Sequence, residues 1–424
     1  MFYAMQHAQE QDRKDPLKGY REYFFNDDDR LIYLDGNSLG RLPLKTIEKL
    51  NNTVQNEWGN RLIRSWNEGW FVKNQEVGKK IARLIGAKDN EVIVADSTSV
   101  NLYKLAFAAL SKNSGRNKII SDNANFPSDL YILQGLLKSS FPNHQINIID
   151  VESNWNQAQQ KYRETIDDKT ALVTLSHVAF KSAFYYDMNA MNQSIQQAGA
   201  IDLWDLSHSV GAVQIDLNKA NTSLAVGCTY KYLNGGPGAP AFLYVREDLQ
   251  EKLLSPITGW LGAENPFEFD LDYHPSPGLL RFITGTPPII ALAGIEAGVD
   301  LLLDAGMDNI REKSIRQSNY FIELYVQLLA PLGFELVSPD NEAQRGSHIS
   351  IAHPEAQRLC KALIDDKIGN YSIIPDFRKP NVIRFGITPL YTSFQDIYIA
   401  ITQLKDIIEN QWHKDIELED EVVT

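Results

Sequence analysis

The sequence has few of the residues that mark several common classes of protein. Two cysteines in 424 residues exclude a framework of several disulfides and favour a reducing compartment. No apolar stretch approaches the roughly 20 residues needed to cross a membrane, and the N-terminus lacks the basic region and apolar run of a signal peptide. Basic residues number 41 against 54 acidic ones, a net charge of −13, which argues against binding to nucleic acid. We therefore expect a cytoplasmic protein without nucleic-acid or membrane partners.

The composition that remains is globular. With 43% hydrophobic and 22% charged residues over 424 positions, the chain is too long for one ordinary core and suits a large domain plus a smaller one. Between about 84 and 244, short β-rich runs such as 171–177 and 223–228 alternate with helical patterns such as 186–197. This alternation predicts an α/β fold with a mostly parallel sheet covered by helices on both faces.

The pattern changes after Pro287 and Pro288. Long helices are predicted at 289–305 and 309–330, and short strands at 334–338, 347–352 and 382–387 surround a helix around 356–361. This mixture is typical of a smaller α+β domain. We predict three parts: a segment 1–60 that packs with the small domain, a large domain 61–288, and a small C-terminal α+β domain 289–424. No metal site is predicted.

The most informative segment is 228–240, Cys-Thr-Tyr-Lys-Tyr-Leu-Asn-Gly-Gly-Pro-Gly-Ala-Pro. It places Lys231 between two tyrosines, after an apolar run and before a glycine-rich turn. A lysine buried at a strand end beside another cation has a lowered pKa and becomes a nucleophile and base. Such an amine suits a Schiff base with pyridoxal phosphate, and the glycines would let the backbone approach a bulky cofactor. A surface lysine in a turn is the alternative for this segment alone.

Upstream, Asp205 and His208 follow an apolar strand entered by a turn at 197–200. Asp205 is predicted at the C-terminal end of that strand, where ligands bind in open α/β sheets. A carboxylate there can pair with the pyridine nitrogen of the cofactor and keep it protonated. A helix N-cap is the alternative for Asp205, and a core histidine is the alternative for His208. Their combination with a downstream strand-end lysine favours the cofactor site.

Two further segments indicate phosphate and ring contacts. The segment 91–104 predicts a short strand, a hydroxyl cluster and a helix, and hydroxyls at a helix N-terminus can bind an anion. Thr98 and Ser99 are the phosphate candidates, with an ordinary helix cap as the alternative. Residues 125–129 open another helix, where Phe126 could stack on a planar ring and Ser128 or Asp129 could cap the helix.

The chain as a whole resembles kynureninase, a pyridoxal-phosphate enzyme of the aspartate-aminotransferase fold group. The matching segments run in order along it: Tyr-Leu-Asp-Gly-Asn-Ser-Leu-Gly at 33–40, Asp-Ser-Thr-Ser-Val-Asn-Leu at 96–102, Phe-Pro-Ser-Asp at 126–129, Asp-Leu-Ser-His at 205–208, Tyr-Lys at 230–231, Gly-Trp at 259–260, Thr-Gly-Thr-Pro-Pro at 284–288 and Asn-Val-Ile-Arg-Phe-Gly-Ile-Thr-Pro-Leu-Tyr at 381–391. The lysine, aspartate and histidine are shared by the wider fold group. The Gly-Asn-Ser-Leu-Gly, Phe-Pro-Ser-Asp and Pro-Leu-Tyr segments narrow the match to kynureninase.

The resemblance implies pyridoxal-phosphate fold type I and hydrolysis of L-kynurenine to anthranilate and L-alanine, in tryptophan degradation. Lys231 would carry the cofactor as an aldimine and then move the α-proton, Asp205 would hold the ring nitrogen, and Tyr230 would be a proton donor or a phosphate ligand. The implied cofactor-binding residues are Thr98, Ser99, Phe126, Asp129, Ser176, Asp205, His208, Tyr230 and Lys231, with Trp260 and Thr286 reaching the phosphate from the partner subunit of a homodimer.

The same resemblance implies a substrate site formed by Ser38, Asn60, Trp66 and Arg384. A guanidinium fork matches a carboxylate bidentately, so Arg384 suits the substrate carboxylate; a structural ion pair is its alternative. Members that prefer 3-hydroxykynurenine carry a histidine near Asn60 and an asparagine at Thr286. Both polar partners differ here, and Trp66 adds apolar bulk, which predicts a preference for plain L-kynurenine.

Three other functions stay open for this sequence. An aminotransferase of the same fold group would share the lysine, aspartate and histidine. A cysteine desulfurase would need a nucleophilic cysteine on an accessible loop, whereas Cys228 and Cys360 lie in segments predicted to be buried. A catalytically silent pyridoxal-phosphate scaffold would bind the cofactor without turnover, and the complete set of lysine, aspartate, histidine and arginine argues against it.

Overall fold

The computed structural model describes residues 5–418. Positions 1–4 of the predicted N-terminal segment and 419–424 of the predicted small domain lie outside the described residues. The strands are β1 (Leu31–Tyr33), β2 (Val92–Val94), β3 (Lys118–Asp122), β4 (Gln145–Ile149), β5 (Thr170–Ser176), β6 (Ile201–Asp205), β7 (Leu224–Gly227), β8 (Phe242–Val245), β9 (Glu335–Leu336), β10 (His348–Ala352), β11 (Ser372–Ile374), β12 (Asp376–Arg378) and β13 (Val382–Gly386). The helices are α1 (Met5–Lys14), α2 (Leu44–Asn52), α3 (Lys73–Leu84), α4 (Thr98–Lys112), α5 (Pro127–Ser140), α6 (Ala158–Thr165), α7 (Met188–Gln197), α8 (Glu247–Gln250), α9 (Ile289–Ala305), α10 (Met307–Leu324), α11 (Ala356–Ile364) and α12 (Phe394–Glu409).

The large domain is built on a seven-stranded sheet in the described part of the chain, in the order β2-β8-β7-β6-β5-β3-β4. Strands β3 to β7 pair in parallel, whereas β8 runs antiparallel to β7 and β2. The alternating strand and helix patterns in the sequence therefore predicted the mostly parallel α/β sheet correctly.

Alternating residues of the central strands pack on opposite faces of this sheet. On β6, Leu203 joins a core with α4 and α5, whereas Trp204 joins a second core with α7 and α9. Parallel strands covered by helices on both faces are apolar along their whole length, which is why 201–205 is buried throughout. Polar groups therefore lie at the ends of the strands.

The small domain packs the antiparallel sheet β12-β13-β10-β9 against α10, α11 and α12. Ile349 on β10 and Phe385 on β13 enter this core. Helix α12 begins at a capping box, in which Ser393 and Asp396 exchange hydrogen bonds with each other's backbone N–H. Strand β1 pairs in parallel with β11, and α1 packs on α12, so the N-terminal segment contacts this domain. The boundaries at 60 and 288 stay predictions.

Helix α9 has the predicted bounds and links the two domains. It packs on α2 and α3, where Glu296 forms ion pairs with Lys49, Lys73 and Lys80. Gly306, with φ of 77°, separates α9 from α10. The second predicted long helix starts earlier than expected, at Met307, and its α-helical part ends at Leu324 before a π-helical turn. Helix α9 therefore packs on the N-terminal segment and the large domain and leads directly into α10 of the small domain.

Candidate active site

The candidate site lies at the C-terminal edge of the parallel strands. Ser176 is the last residue of β5 and Asp205 the last of β6, and β7 ends at Gly227, shortly before Lys231. Because parallel strands end at the same edge of a sheet, these residues meet at one place. The predicted position of Asp205 at a strand end is confirmed.

Lys231 is buried beside a histidine. Its Nζ lies 3.3 Å from Nε2 of His208. Burial lowers the pKa of Lys231, and Arg384 and Arg378 act in the same direction, while Cys228 and Asp205 oppose them. Burial, reinforced by Lys231, also lowers the pKa of His208 well below its usual value. His208 is therefore neutral, and the Lys231 amine is easier to deprotonate than a lysine in water.

Two carboxyl groups meet next to this lysine. Oδ1 of Asp205 accepts a hydrogen bond of 2.8 Å from the backbone N–H of Ser207, which favours its charged form. Burial raises the pKa of both carboxyls, and the charge of Asp205 raises the pKa of Asp129 well above its usual value. Asp129 thus holds the proton and Asp205 the charge. The suggestion that Ser128 or Asp129 caps α5 was wrong, because α5 has no side-chain cap.

The N-termini of α4 and α5 lie side by side at the site. Ser97, rather than the two phosphate candidates, caps α4 by accepting a hydrogen bond from the N–H of Val100. Thr98 and Ser99 are the first two helical residues, and Oγ of Ser99 lies 3.0 Å from Oγ of Ser128 on α5. Hydroxyls at helix N-termini favour an anion such as phosphate, so the geometry is compatible with the predicted role of both residues.

Two aromatic rings flank the lysine amine. The rings of Phe126 and Tyr230 both have their centroids 5.8 Å from Nζ of Lys231. Phe126 is 40% exposed, so part of its ring is accessible to a planar ligand. Burial raises the pKa of Tyr230, so its hydroxyl stays protonated. Behind Phe126, Oγ of Ser176 donates to Oδ1 of Asn125 at 2.7 Å.

The N-terminal segment packs directly on the lysine loop. The N–H of Gly40 donates to the carbonyl of Tyr230 at 2.7 Å. A Cβ at Gly40 would lie 2.2 Å from the carbonyl oxygen of Lys231, so only glycine fits. In the glycine-rich turn, a Cβ at Gly235 would lie 2.9 Å from the carbonyl of Thr229. At these two positions, glycine is required by packing within the protein itself.

Arg384 is buried with a full set of partners. Its Nε and Nη2 contact the carboxylate of Asp376, Nη1 donates to the carbonyl of Phe180 at 2.5 Å, and Nη2 donates to Oγ of Ser38 at 3.0 Å. The ion pair that the sequence left open is therefore present. The same contacts place Arg384 and Ser38, two predicted substrate residues, next to each other.

Four predicted site residues lie apart from this group. Trp260 lines an apolar pocket with Trp66, together with Ile63, Asn67, Phe71, Leu261 and Phe267, and its Nε1 donates to the carbonyl of Pro266 at 2.5 Å. Asn60 is exposed and bonds to Asn56, and Thr286 is exposed before α9. No hydrogen bond, ion pair or ring contact joins these four residues to Lys231 within residues 5–418. Their roles stay predictions.

Several residues of the site were missed by the sequence reasoning. Asp376 and Arg378 stand two positions apart on β12, and strand periodicity alone places them on one face. Asp35 follows β1, and the pKa of its carboxyl is raised to about 7 by burial and by the charge of Asp376. The acidic residue in the Leu-Asp-Gly-Asn segment could have been selected as a candidate from the sequence. The proximity of Asp35 to Asp376, in contrast, depends on the fold.

The described residues contain neither a cluster of acidic, cysteine or histidine side chains that could hold a metal ion nor a helix of the length and hydropathy that a membrane span requires.

A family model and several curated proteins match this chain. Residues 310–404 match the model of the kynureninase C-terminal domain. The chain is 40% identical over 405 residues to a kynureninase of Pseudomonas fluorescens, covering 94% of each chain. It is 41% identical over 405 residues to a kynureninase of Burkholderia mallei (strain SAVP1), again covering 94% of each.

Solved structures give the fold. A cysteine desulfurase from Thermococcus onnurineus NA1 matches with a TM-score of 0.77 at 20% identity, covering 95% of this chain and 98% of that one. A C-DES variant with glycine covalently linked to its pyridoxal-phosphate cofactor matches with a TM-score of 0.77 at 16% identity, covering 91% and 99%. The predicted fold class, pyridoxal-phosphate fold type I, is confirmed.

Proposed function

The chain belongs to the kynureninase family, and on that premise we propose that it hydrolyses L-kynurenine to anthranilate and L-alanine with pyridoxal 5'-phosphate bound at Lys231. The observation that carries the proposal is the buried group around Lys231, in which an amine of lowered pKa lies between a neutral histidine and a charged carboxylate. Such a group can bind a carbonyl cofactor and move protons on an amino-acid substrate.

The residues present fit the cofactor. Phe126 is partly exposed beside Lys231, and the adjacent N-termini of α4 and α5 suit the phosphate of the cofactor. Asp129 has a buried Oδ2 without a partner, next to the charged Asp205. When bound, pyridoxal phosphate supplies an electron-accepting ring that stabilises negative charge on the substrate.

Each residue then has a role set by its surroundings. Lys231 takes the proton from the substrate α-carbon, because burial lowers the pKa of its amine and so favours the neutral form that can act as a base. Asp205 holds a proton on the ring nitrogen of the cofactor, and Asp129, which is protonated, adds no second charge there. His208 stays neutral and accepts a hydrogen bond from the Lys231 amine at 3.3 Å.

Cleavage of the substrate needs water and a proton donor. Water adds to the γ-carbonyl of kynurenine, the Cβ–Cγ bond breaks, and the acyl fragment leaves as anthranilate. The β-carbon of the remaining three-carbon fragment then takes up a proton, and this fragment leaves as alanine. Tyr230 suits this donation, because burial keeps its hydroxyl protonated beside the Lys231 amine; the alternative role of Tyr230 is a phosphate ligand.

We further propose that the enzyme is a cytoplasmic homodimer in which Trp260 and Thr286 reach the phosphate in the partner subunit. Exposed apolar side chains support the dimer: Trp58, Ile63, Phe267, Phe269 and Leu271 are between 55% and 100% exposed in one chain. Large exposed apolar side chains are typical of protein interfaces. Sedimentation of the purified protein tests the proposal, and a monomer that is fully active would contradict it.

The experiment that tests the function is addition of L-kynurenine to the purified protein reconstituted with pyridoxal phosphate. We expect anthranilate fluorescence and stoichiometric alanine. Bound cofactor without product would favour a silent scaffold, and transfer of an amino group to a keto acid would favour an aminotransferase. A desulfurase is disfavoured, because Cys228 and Cys360 are both buried and burial raises the pKa of each thiol.

A further inference from the structure

Lys104 lies on α4 at a point where two distant segments of the large domain meet. Its side chain is fully buried. Its Nζ donates to Oδ2 of Asp96 at 2.7 Å and to the carbonyl of Phe282 at 2.7 Å. Asp96 lies between β2 and α4, whereas Phe282 ends a short 3-10 helix 178 positions after Lys104. One ammonium group therefore joins the start of α4 to a distant part of the chain.

Burying the charge of this lysine costs free energy. Burial lowers the pKa of Lys104, and the charge of Asp96 opposes that effect. An apolar side chain of similar length would fill the same space without desolvating a charge, and replacement of buried ion pairs by apolar residues is often neutral or stabilising. The stability of the fold alone therefore does not account for a lysine at this position.

Asp96 sets the course of the backbone into the two phosphate candidates. Its φ is 47°, in the left-handed region that aspartate tolerates at some cost. The next residue, Ser97, caps α4, and Thr98 and Ser99 follow directly as the first two residues of the helix. The contact from Lys104 holds the side chain of Asp96, and with it the turn that decides where these two hydroxyl groups lie.

Phe282 leads into the second segment that is proposed to contact phosphate. Thr286 follows it by four positions. The loop with Trp260 packs tightly on the residues in between, because the carbonyl oxygen of Thr284 leaves no room for a Cβ at Gly259. By holding the carbonyl of Phe282, Lys104 fixes the point from which this whole segment leaves the core of the large domain.

We propose that Lys104 is a positioning residue for the phosphate of the cofactor. It fixes the start of α4, with Thr98 and Ser99, relative to the segment that carries Trp260 and Thr286. The first group lies at the site of its own chain, and the second is proposed above to serve the site of the partner subunit. This inference rests on the proposed function. It gives Lys104 an effect on both halves of a shared phosphate site without a contact of its own to the phosphate.

Binding of two aldehydes to Lys104→Met tests this role. Methionine has a similar length but no charge and no donor, and Asp96 is 26% exposed, so water can reach its carboxylate in the variant. Pyridoxal lacks the phosphate but can form the same bond to Lys231, so it reports on the rest of the site. We expect the Kd of pyridoxal phosphate to rise roughly tenfold to hundredfold, the effect of losing a charged hydrogen bond, and the Kd of pyridoxal to stay unchanged.

The matched control is Lys112→Met, at the exposed end of the same helix, which should bind both aldehydes as the wild type does. Absorbance titration of the full-length protein gives both constants without turnover. Wild-type binding of pyridoxal phosphate without hydrolysis of kynurenine would contradict the proposed function and leave the role of Lys104 measurable. An unchanged Kd of pyridoxal phosphate in Lys104→Met, or an equal loss for both aldehydes, would overturn that role, and a wild type that binds neither aldehyde would overturn both.

Asp96→Asn provides the second variant, should Lys104→Met not fold. Asparagine also tolerates the left-handed backbone and can still accept the hydrogen bond from Lys104, so only the charge is removed. We expect a smaller loss of affinity for pyridoxal phosphate, roughly threefold to tenfold, which again spares pyridoxal. Any other pattern in this variant overturns the proposal.

Discussion

The pocket around Lys231 and the apolar pocket around Trp66 and Trp260 were both predicted to serve one active site, yet they differ in burial and in the kind of contact that holds them together. The Lys231 pocket is buried, formed by strand ends and helix N-termini, and joined by short polar contacts. The second pocket is partly exposed, and ring contacts between its aromatic residues hold it together.

The difference teaches that, within residues 5–418, one chain gathers only part of the predicted site around Lys231. A polar cluster such as Lys231 with its acids must be satisfied inside the chain that buries it, because unpaired buried charges are costly. Aromatic side chains, in contrast, can remain exposed on the surface of one chain until a partner subunit covers them. The proposed dimer is therefore the arrangement in which we expect the two pockets to form one active site.

The largest effect is expected from removing the amine. Lys231→Ala should lower kcat roughly 10⁴-fold or more, because it removes both nucleophile and base. It should also remove the visible absorbance of the protein after reconstitution with cofactor. The exposed Lys219 gives a matched control, Lys219→Ala, expected to behave as wild type. Borohydride treatment followed by mass spectrometry checks the attachment, and cofactor found on another lysine would contradict the assignment.

The next effect concerns the carboxylate. Asp205→Asn keeps the shape and can still accept the bond from Ser207, but it removes the charge that holds the proton on the ring nitrogen. We expect kcat to fall roughly 10²- to 10³-fold, as for loss of one preorganised electrostatic group, with modest loss of cofactor. Asp129→Asn is the informative comparison: since Asp129 is already protonated, its variant should keep far more activity. Equal losses would show that the assignment of charge is wrong.

The third prediction tests whether the two pockets meet across a dimer. Trp260→Ala should lower activity roughly tenfold to hundredfold, because its indole N–H, which bonds to Pro266 within one chain, is proposed to turn to the phosphate of the partner's site. If Lys231 and Trp260 serve one site from different chains, mixing Lys231→Ala with Trp260→Ala restores one intact site in each mixed dimer. Random exchange of subunits then gives about a quarter of wild-type activity. A mixture no more active than the mean of the two variants would place both residues in one chain.

The fourth prediction concerns the choice between L-kynurenine and 3-hydroxykynurenine, for which we expect an effect of similar size but wider range. The rings around Trp66 are apolar, and neither Asn60 nor Thr286 matches the polar residues of members that use 3-hydroxykynurenine. An added hydroxyl left without a partner costs about 1–3 kcal/mol, which is a preference of roughly tenfold to hundredfold for plain L-kynurenine. The ratio of kcat/KM for the two substrates measures it, and equal values would contradict the prediction.

The smallest effect should come from Asp35, which belongs to the polar side of the comparison between the two pockets. Its pKa is raised to about 7, so the folded protein keeps a proton that the unfolded chain releases at lower pH. Stability should therefore fall as pH rises from acid values through about 7. Asp35→Asn removes this loss and should raise the melting temperature by a few degrees at pH 8 but little at pH 5. The exposed Asp27 supplies the control Asp27→Asn, and identical pH profiles would contradict the shift.

The sequence predicted the parts of the molecule that depend on local pattern. Apolar runs alternating with helices predicted the parallel sheet, and the bounds of α9 and the strand-end position of Asp205 followed from them. The resemblance supplied residue roles, and the fold brings Ser38, Phe126, Lys231 and Arg384 into one region. These successes share a cause, since each depends on periodicity or on a short motif.

The rest could not be read from the sequence because it depends on contacts between distant segments. The proton on Asp129 depends on its distance from Asp205, and the capping role first considered for it came from local pattern alone. Asp376 contacts both Arg378 and Arg384 because β12 and β13 pair in the sheet. Pairing across strands and domains decides such details, and no local signal reports it.

The contacts that complete the substrate side of the site have a consequence for how the protein is made. The hydrogen bond between Ser38 and Arg384 joins positions 346 residues apart in the chain, and Gly40 rests on the loop that carries Lys231. A ribosome releases the N-terminal segment long before either partner exists, and contacts of such large sequence separation form late in folding. Nascent chains halted before the small domain emerges should therefore hold a folded sheet but no working enzyme.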